Sequence, residues 1–262
     1  MTREEFYKLA NEHSEPPESS IFELQIFSYD DEAPGYSYNN ETKTWSFKLY
    51  LCFDRLYTSL DKAQQALKDY LSEADNDIHS CKITRIPVDV DNKEYGGHLG
   101  WWLYDGSGRL IDRSMCDLYH SVMEDVNYGI FFGRSPEQIR FHDGDIVEVH
   151  PGEQGDVHLA IINGTPGTVE DVWKLYQERE ERWGPKPEGI FKGDYFLDEL
   201  SDSYFLAGDI GDDFDPDLSP ACLMKPTFPV PEEAQKELQA KYDYWLKRTE
   251  EDTNNDNEMQ TQ

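Results

Sequence analysis

Apolar and polar positions along the first half of the chain follow a pattern that predicts a sheet. Between Ile21 and Tyr29 apolar and aromatic side chains fill a strand-length run, and Thr44 to Phe53 alternates. A period of two places every second side chain on one face of a strand. The intervening Asp30-Asp-Glu-Ala-Pro-Gly35 is polar and turn-forming, so the two runs read as a hairpin with a long polar tip. At Leu60 the period changes: Leu60, Ala63, Leu67, Tyr70 and Leu71 recur at helical spacing, with Thr58 as N-cap and Asp61 closing a capping box. Strand-like runs return at His79–Val88 and Gly97–Tyr104, and Asp105-Gly-Ser-Gly108 turns the chain into Arg109–Arg113. The order is ββαβββ, an antiparallel sheet with a helix packed on one face. A short helix over Thr2–Ala10, with Thr2 and Glu5 as its capping box, and a polar linker are expected ahead of the sheet.

The second half opens on Ser135-Pro-Glu-Gln138, which has the composition of a single helical turn. His142-Asp-Gly-Asp145 is then a turn, Ile146–His150 alternates, Pro151–Asp156 is a loop, and Val157–Ile162 is the returning strand. The succession Gly144-Asp-Ile-Val-Glu-Val149, a loop, and Leu159-Ala-Ile-Ile-Asn-Gly164 resembles the opening hairpin of small SH3-like barrels, over 144–164 alone. That resemblance implies a small barrel-like β region. Thr168 and Asp171 cap an inserted helix from Val169 to about Arg182, with Val169, Val172, Trp173 and Tyr176 as its inward stripe and Gly184-Pro-Lys-Pro187 as its end. Strands are expected at Gly189–Leu197 and Ser203–Ala207. Pro231, at a first helical position, introduces a C-terminal helix with Ala234, Leu238, Tyr242 and Trp245 on one face. The fold class expected is therefore α+β, with a sheet domain over 1–125, a barrel-like region with helices over 126–248 packed on it, and a disordered acidic tail over 249–262.

Charge changes this picture most. The chain of 262 residues carries 24 basic against 54 acidic residues, a net charge of −30. Phosphate backbones are held largely by Lys and Arg displacing counterions, so direct nucleic-acid binding is not expected, and neither is an anionic membrane surface. A field of this sign raises encounter rates with cationic proteins and keeps a molecule in solution. Aromatic content of 13% supplies enough apolar surface to rule out wholesale disorder. No run approaches the roughly 20 apolar residues of a membrane span. Cys52, Cys81, Cys116 and Cys222 form no CxxC pair and no signal-like segment opens the chain, which reads as a protein of the reducing cytoplasm.

Candidate chemistry is sparse. The phosphate-cradling glycine motifs are absent, Gly106-Ser107-Gly108 lacks the spacing of a nucleophile elbow, and no HExxH or four-ligand Cys/His cluster occurs. No cofactor, metal or catalytic residue is expected on these grounds. Cys116 and His120 stand four apart, as a structural cysteine beside an ordinary histidine. His142, His150 and His158 lie around the proposed hairpin, where His150 and His158 could meet on one sheet face with Asp143 or Asp145 orienting an imidazole, the geometry of a general base. Asp209-Ile-Gly-Asp-Asp-Phe-Asp-Pro-Asp217 concentrates Asp209, Asp212, Asp213, Asp215 and Asp217. An EF-hand is excluded because Leu218 stands where the sharp-turn glycine belongs and Met224 where the bidentate glutamate belongs. A solvated loop, a docking patch for a basic partner and a weak cation site all stay open there. The adjacent aromatics Trp101 and Trp102, and Phe131 and Phe132, must point to opposite faces of any strand; they read as interface anchors or as packing on two sheet faces.

The function expected is a non-enzymatic acidic binding protein that docks a basic protein partner, as an immunity protein, an antitoxin or a nucleic-acid-mimic inhibitor does. Its contact residues would be Asp209, Asp212, Asp213, Asp215, Asp217, Trp101 and Trp102. Two alternatives stay open: a hydrolase using histidine and carboxylates around 142–158, and an accessory subunit of a larger complex that uses its aromatic pairs for contact.

Overall fold

The structure is a computed structural model that describes residues 2–4, 20–29, 35–73, 78–88, 100–114, 120–122, 125–127, 133–150, 155–184, 202–207 and 217–259. In chain order the strands are β1 (Ser20–Tyr29), β2 (Ser37–Asn39), β3 (Thr44–Tyr57), β4 (Ile78–Pro87), β5 (Gly100–Asp105), β6 (Leu110–Arg113), β7 (His120–Val122), β8 (Asp125–Asn127), β9 (Ile146–Val149), β10 (Gly155–Gly164), β11 (Tyr204–Leu206), β12 (Asp217–Leu218) and β13 (Leu223–Met224). Among the described residues, three α-helices of more than one turn accompany them: α1 (Leu60–Glu73) between β3 and β4, α2 (Val169–Trp183) between β10 and β11, and α3 (Glu232–Met259) at the end. The fold is α+β, and its strand ladders are antiparallel. No helix among the described residues is long and apolar enough to cross a membrane. The Thr2–Ala10 helix and the Gly189–Leu197 strand lie almost wholly outside the described residues.

Contacts divide the chain into two compact units. The first combines Met1–Tyr29, Leu49–Ile139 and Pro166–Asp202, and the second combines Asp30–Lys48, Arg140–Thr165 and Ser203–Gln262. The units interleave along the sequence, so the stretch 126–248, read as one region from the sequence, supplies both.

In the first unit β1 is flanked by β3 and β4, with Ile26 opposite Phe53 on one side and Cys81 on the other, and β5 and β6 follow β4. Alternation puts Phe22, Leu24, Ile26, Cys81, Ile83 and Tyr104 on the face that Ala63 and Leu67 of α1 cover. Deleting a side chain buried as fully as Leu67 costs about 2–5 kcal/mol, so this face is what holds the helix down. The helix begins one residue later than its composition suggests: Ser59 Oγ accepts from the Lys62 N–H at 3.4 Å, and Thr58 instead takes the Lys62 ammonium at 2.9 Å. The Asp105–Gly108 turn forms as expected, with its carboxylate accepting from Ser107 N, Ser107 Oγ and Arg109 N. Burial alone would raise the Asp105 pKa, but these bonds outweigh it and hold the carboxyl below its ordinary value.

Helix α2 starts at the expected capping box, Thr168 Oγ1 accepting from Asp171 N at 3.2 Å and Asp171 Oδ2 accepting from Thr168 N at 3.0 Å. Val172, Trp173 and Leu175 form its buried stripe. Ahead of it, Arg134 lies against the helix start, exchanging backbone bonds with Gly167 and Val169. Gly133, at φ +91°, allows that approach, because a Cβ there would stand 2.4 Å from the Thr168 carbonyl carbon. The Arg134 guanidinium is completely buried between Asp112 and Asp202.

In the second unit β9 pairs with β10 on one side and β13 on the other, and β11 pairs with β10 and β12. Val147, Val149, Ala160, Ile162, Tyr204 and Leu223 form one core, and the Tyr204 hydroxyl accepts from Arg140 N at 2.9 Å. Leu159 and Ile161 point the other way, onto Ala234, Leu238 and Trp245 of α3, the stripe expected from the sequence. Pro231 sits just before this helix, its carbonyl accepting from Gln235 N at 3.0 Å. The helix continues through 249–259, which composition suggests as a frayed tail; nothing in Thr249–Met259 is a proline or a glycine to stop it.

Candidate functional site: a buried carboxylate on strand β9

The sequence Ile146-Val-Glu-Val-His150 alternates, which by itself would send Glu148 to solvent. Val147 and Val149 do face the core of the second unit, yet Glu148 is also fully buried. A second layer covers its face, built from residues far away in sequence. The β2–β3 hairpin, in register from Ser37↔Ser46 to Asn39↔Thr44, brings in Tyr36, and the segment after β13 brings in Thr227.

Three donors converge on this carboxylate. Oε1 accepts from the Tyr36 hydroxyl at 2.5 Å and from Thr227 N at 2.7 Å, and Oε2 accepts from Thr227 Oγ1 at 3.1 Å. The rings of Tyr36, Phe47 and Phe228 meet edge to face at 5.3 to 5.9 Å and shield the Tyr36 bond from water. Burial, and then the charge and hydrogen bond of Glu148, push the Tyr36 phenol well above its ordinary range, so it stays a donor. His150 completes the group, its Nε2 lying 3.8 Å from Glu148 Oε2, with a side chain 12% exposed. Its backbone N–H is anchored on Cys222 O at 2.8 Å.

Chemically, a fixed buried carboxylate beside an imidazole can orient the ring and stabilise its protonated form. Carboxylate and imidazole are also donor types that a borderline ion such as zinc takes. The Tyr36 and Thr227 hydroxyls both donate to Glu148, so neither is aimed outward as a nucleophile.

The histidines expected to meet are kept apart. In the β9–β10 register His158 stands opposite Val149, which puts it on the face away from His150 and corrects the expectation of a shared face. Burial, with the Lys241 charge adding to it, lowers the His158 pKa. His142 is exposed on its turn, with Nδ1 3.9 Å from Asp145 Oδ2; the Asp145 carboxylate accepts from His142 N at 2.8 Å and so serves the turn.

Of the acidic cluster, Asp209, Asp212, Asp213 and Asp215 lie outside the described residues, and Asp217 pairs through its backbone with Phe205. Trp101 is 5% exposed, and Trp102 is half-buried with its ring 6.0 Å from that of Phe22. The two indoles thus occupy opposite faces of β5 as sheet packing. Phe131, Phe132 and Cys116 lie outside the described residues. Cys52, Cys81 and Cys222 are free thiols, and burial, foremost, pushes that of Cys81 up to about 12.

Sequence reasoning missed Tyr36, Glu148 and Thr227 as a group, and Arg134 with its two aspartates. One local signal pointed to the first, a glutamate between two valines on a strand whose other face is core; its partner Tyr36 is 112 residues away. No family model, curated protein or solved structure matches this chain.

Proposed function

We propose that this chain is a non-enzymatic acidic binding protein that docks a basic protein partner, acting as an immunity protein, antitoxin or nucleic-acid-mimic inhibitor does. The observation that carries the reading is how the charge is segregated. In α3 up to Thr249, Glu232, Glu233, Glu237 and Asp243 are matched by Lys236, Lys241, Lys247 and Arg248, and Lys236 and Lys241 sit 3.9 and 3.8 Å from Glu232 and Glu237. The stretches 30–34, 74–77 and 208–216, between the described elements, carry carboxylates and no Lys or Arg at all. The run 209–217 gathers the most carboxylates, and a local excess of negative charge steers an oppositely charged partner. A reducing cytoplasm suits the three free thiols among the described residues.

The test is affinity selection at low ionic strength, followed by titration of the identified cationic protein across a salt series. Affinity should fall steeply with salt, and replacing Asp209, Asp212, Asp213, Asp215 and Asp217 together by Asn should weaken it about tenfold or more and flatten the salt slope. Retention of no protein partner, or an affinity indifferent to salt and to the replacement, would overturn the reading.

The Glu148–His150 pair favours one second reading, a hydrolase that uses this histidine and carboxylate. Under it, His150→Gln would abolish turnover of an ester or peptide substrate, whereas under the first reading the same change leaves partner affinity as it was.

A further inference from the structure

We propose that the cleft between α1 and the β5–β6 turn of the first unit binds a small carboxylate carrying a short apolar group. The cleft encloses about 390 Å³ and is lined chiefly by Gln64, Leu67, Lys68, Leu71, Tyr104 and Gly108. That volume lies in the range of small-molecule sites, which combine an apolar wall with a few convergent polar groups. Leu67 and Leu71 form the wall. Gly108, at φ +80°, lies directly against this wall, where a Cβ would stand 2.7 Å from Leu71 Cδ1.

The polar groups select an anion. Lys68, exposed at the cleft's edge, has no carboxylate at ion-pair distance among the described residues. Two carboxylates of the same segments are engaged elsewhere: Asp69 accepts from Gln65 Nε2 at 2.7 Å, and Asp105 is filled by the turn and by Arg109 Nε at 3.0 Å. The Tyr104 hydroxyl accepts from Gln64 Nε2 at 3.0 Å and donates to no described group, so its own proton is available to a ligand. Burial raises the pKa of this phenol, which keeps that proton in place. Ser72 and Ser107 also line the cleft, but their hydroxyls donate to Asp69 O and Asp105 Oδ1 and offer only acceptors.

One ammonium and one phenol proton above a leucine wall match a monoanion with an apolar end. A phosphate would call for more cations or a cluster of backbone N–H groups, neither of which the lining supplies.

The experiment is an NMR titration of the full ¹⁵N-labelled chain with 3-phenylpropionate and, separately, with the neutral 3-phenylpropanamide. Saturable shifts are expected at the Lys68 and Gly108 amides, with the carboxylate bound about tenfold more tightly than the amide. Lys68→Gln should erase that preference, and Tyr104→Phe, which keeps the ring, should weaken the carboxylate selectively. Shifts that do not saturate, equal binding of the two probes, or a preference unchanged in Lys68→Gln would each overturn the proposal.

Discussion

Both units bury a charged side chain completely, and they compensate it in opposite ways. In the first, Arg134 meets two countercharges: Nη1 donates to both oxygens of Asp112 at 3.0 and 3.1 Å, Nε donates to Asp202 Oδ1, and Nη2 donates to Asp202 Oδ2 at 3.1 Å. The planar fork of the guanidinium suits two carboxylates at once. Burial alone would lower the Arg134 pKa, but Asp202 and Asp112 outweigh it and raise it. In the second, Glu148 meets dipoles from Tyr36 and Thr227, with His150 3.8 Å away. Two countercharges outweigh the buried cation, whereas dipoles only solvate a buried carboxylate. The field of Glu148 therefore persists and acts on Tyr36.

The largest effect should follow from breaking the buried ion-pair triad. Arg134→Met leaves Asp112 and Asp202 facing each other without a cation and should lower stability by about 3–5 kcal/mol in urea unfolding. Arg134→Lys should recover only part of this, since one ammonium cannot hold both forks. A loss below about 1 kcal/mol for Arg134→Met would mean that the triad is open to water and would dissolve the contrast.

Removing one dipole from Glu148 should cost less. Tyr36→Phe should lower stability by about 1–3 kcal/mol at neutral pH. It also tests the sign of the linkage. The Tyr36 pKa is raised in the fold, so its contribution is complete below the ordinary phenol value of 10.0 and is lost as the pH climbs above it. The alkaline fall in stability should therefore be shallower in Tyr36→Phe. An unchanged alkaline slope would show that the phenol does not carry the effect.

The smallest effect lies on the acid side. The His158 pKa is lowered by burial, so its contribution is present above the ordinary value of 6.5 and is lost as the pH falls below it. His158→Gln should flatten the stability profile below pH 6.5 while changing little at pH 8. If the profile keeps its slope, the imidazole is solvated and the acid limb belongs to the carboxylates.

Legibility differed between the fold and the site for a physical reason. Helix stripes, the Thr168 capping box and the Asp105–Gly108 turn are set by neighbours within a few residues, so they could be read directly from order and spacing. The N-cap of α1 shifted from Thr58 to Ser59 because both hydroxyls can cap, and local composition does not choose between them. Pairing across the 151–156 loop could set His150 and His158 on one face, whereas the actual register puts His158 opposite Val149. A shift of one residue in pairing reverses the face of every side chain.

The sequence alone determined the α+β class, the order of the first-half elements apart from the short strand β2, the helix faces and an acidic excess in stretches without cations, because each follows from periodicity or composition. Only the tertiary structure decided that Glu148 is buried with Tyr36 and Thr227, that Arg134 is clasped by Asp112 and Asp202, and that Lys68 and Tyr104 share a cleft. Each of these groupings joins residues from separate segments, and a charge can lie in a dry interior only where such distant partners arrive together.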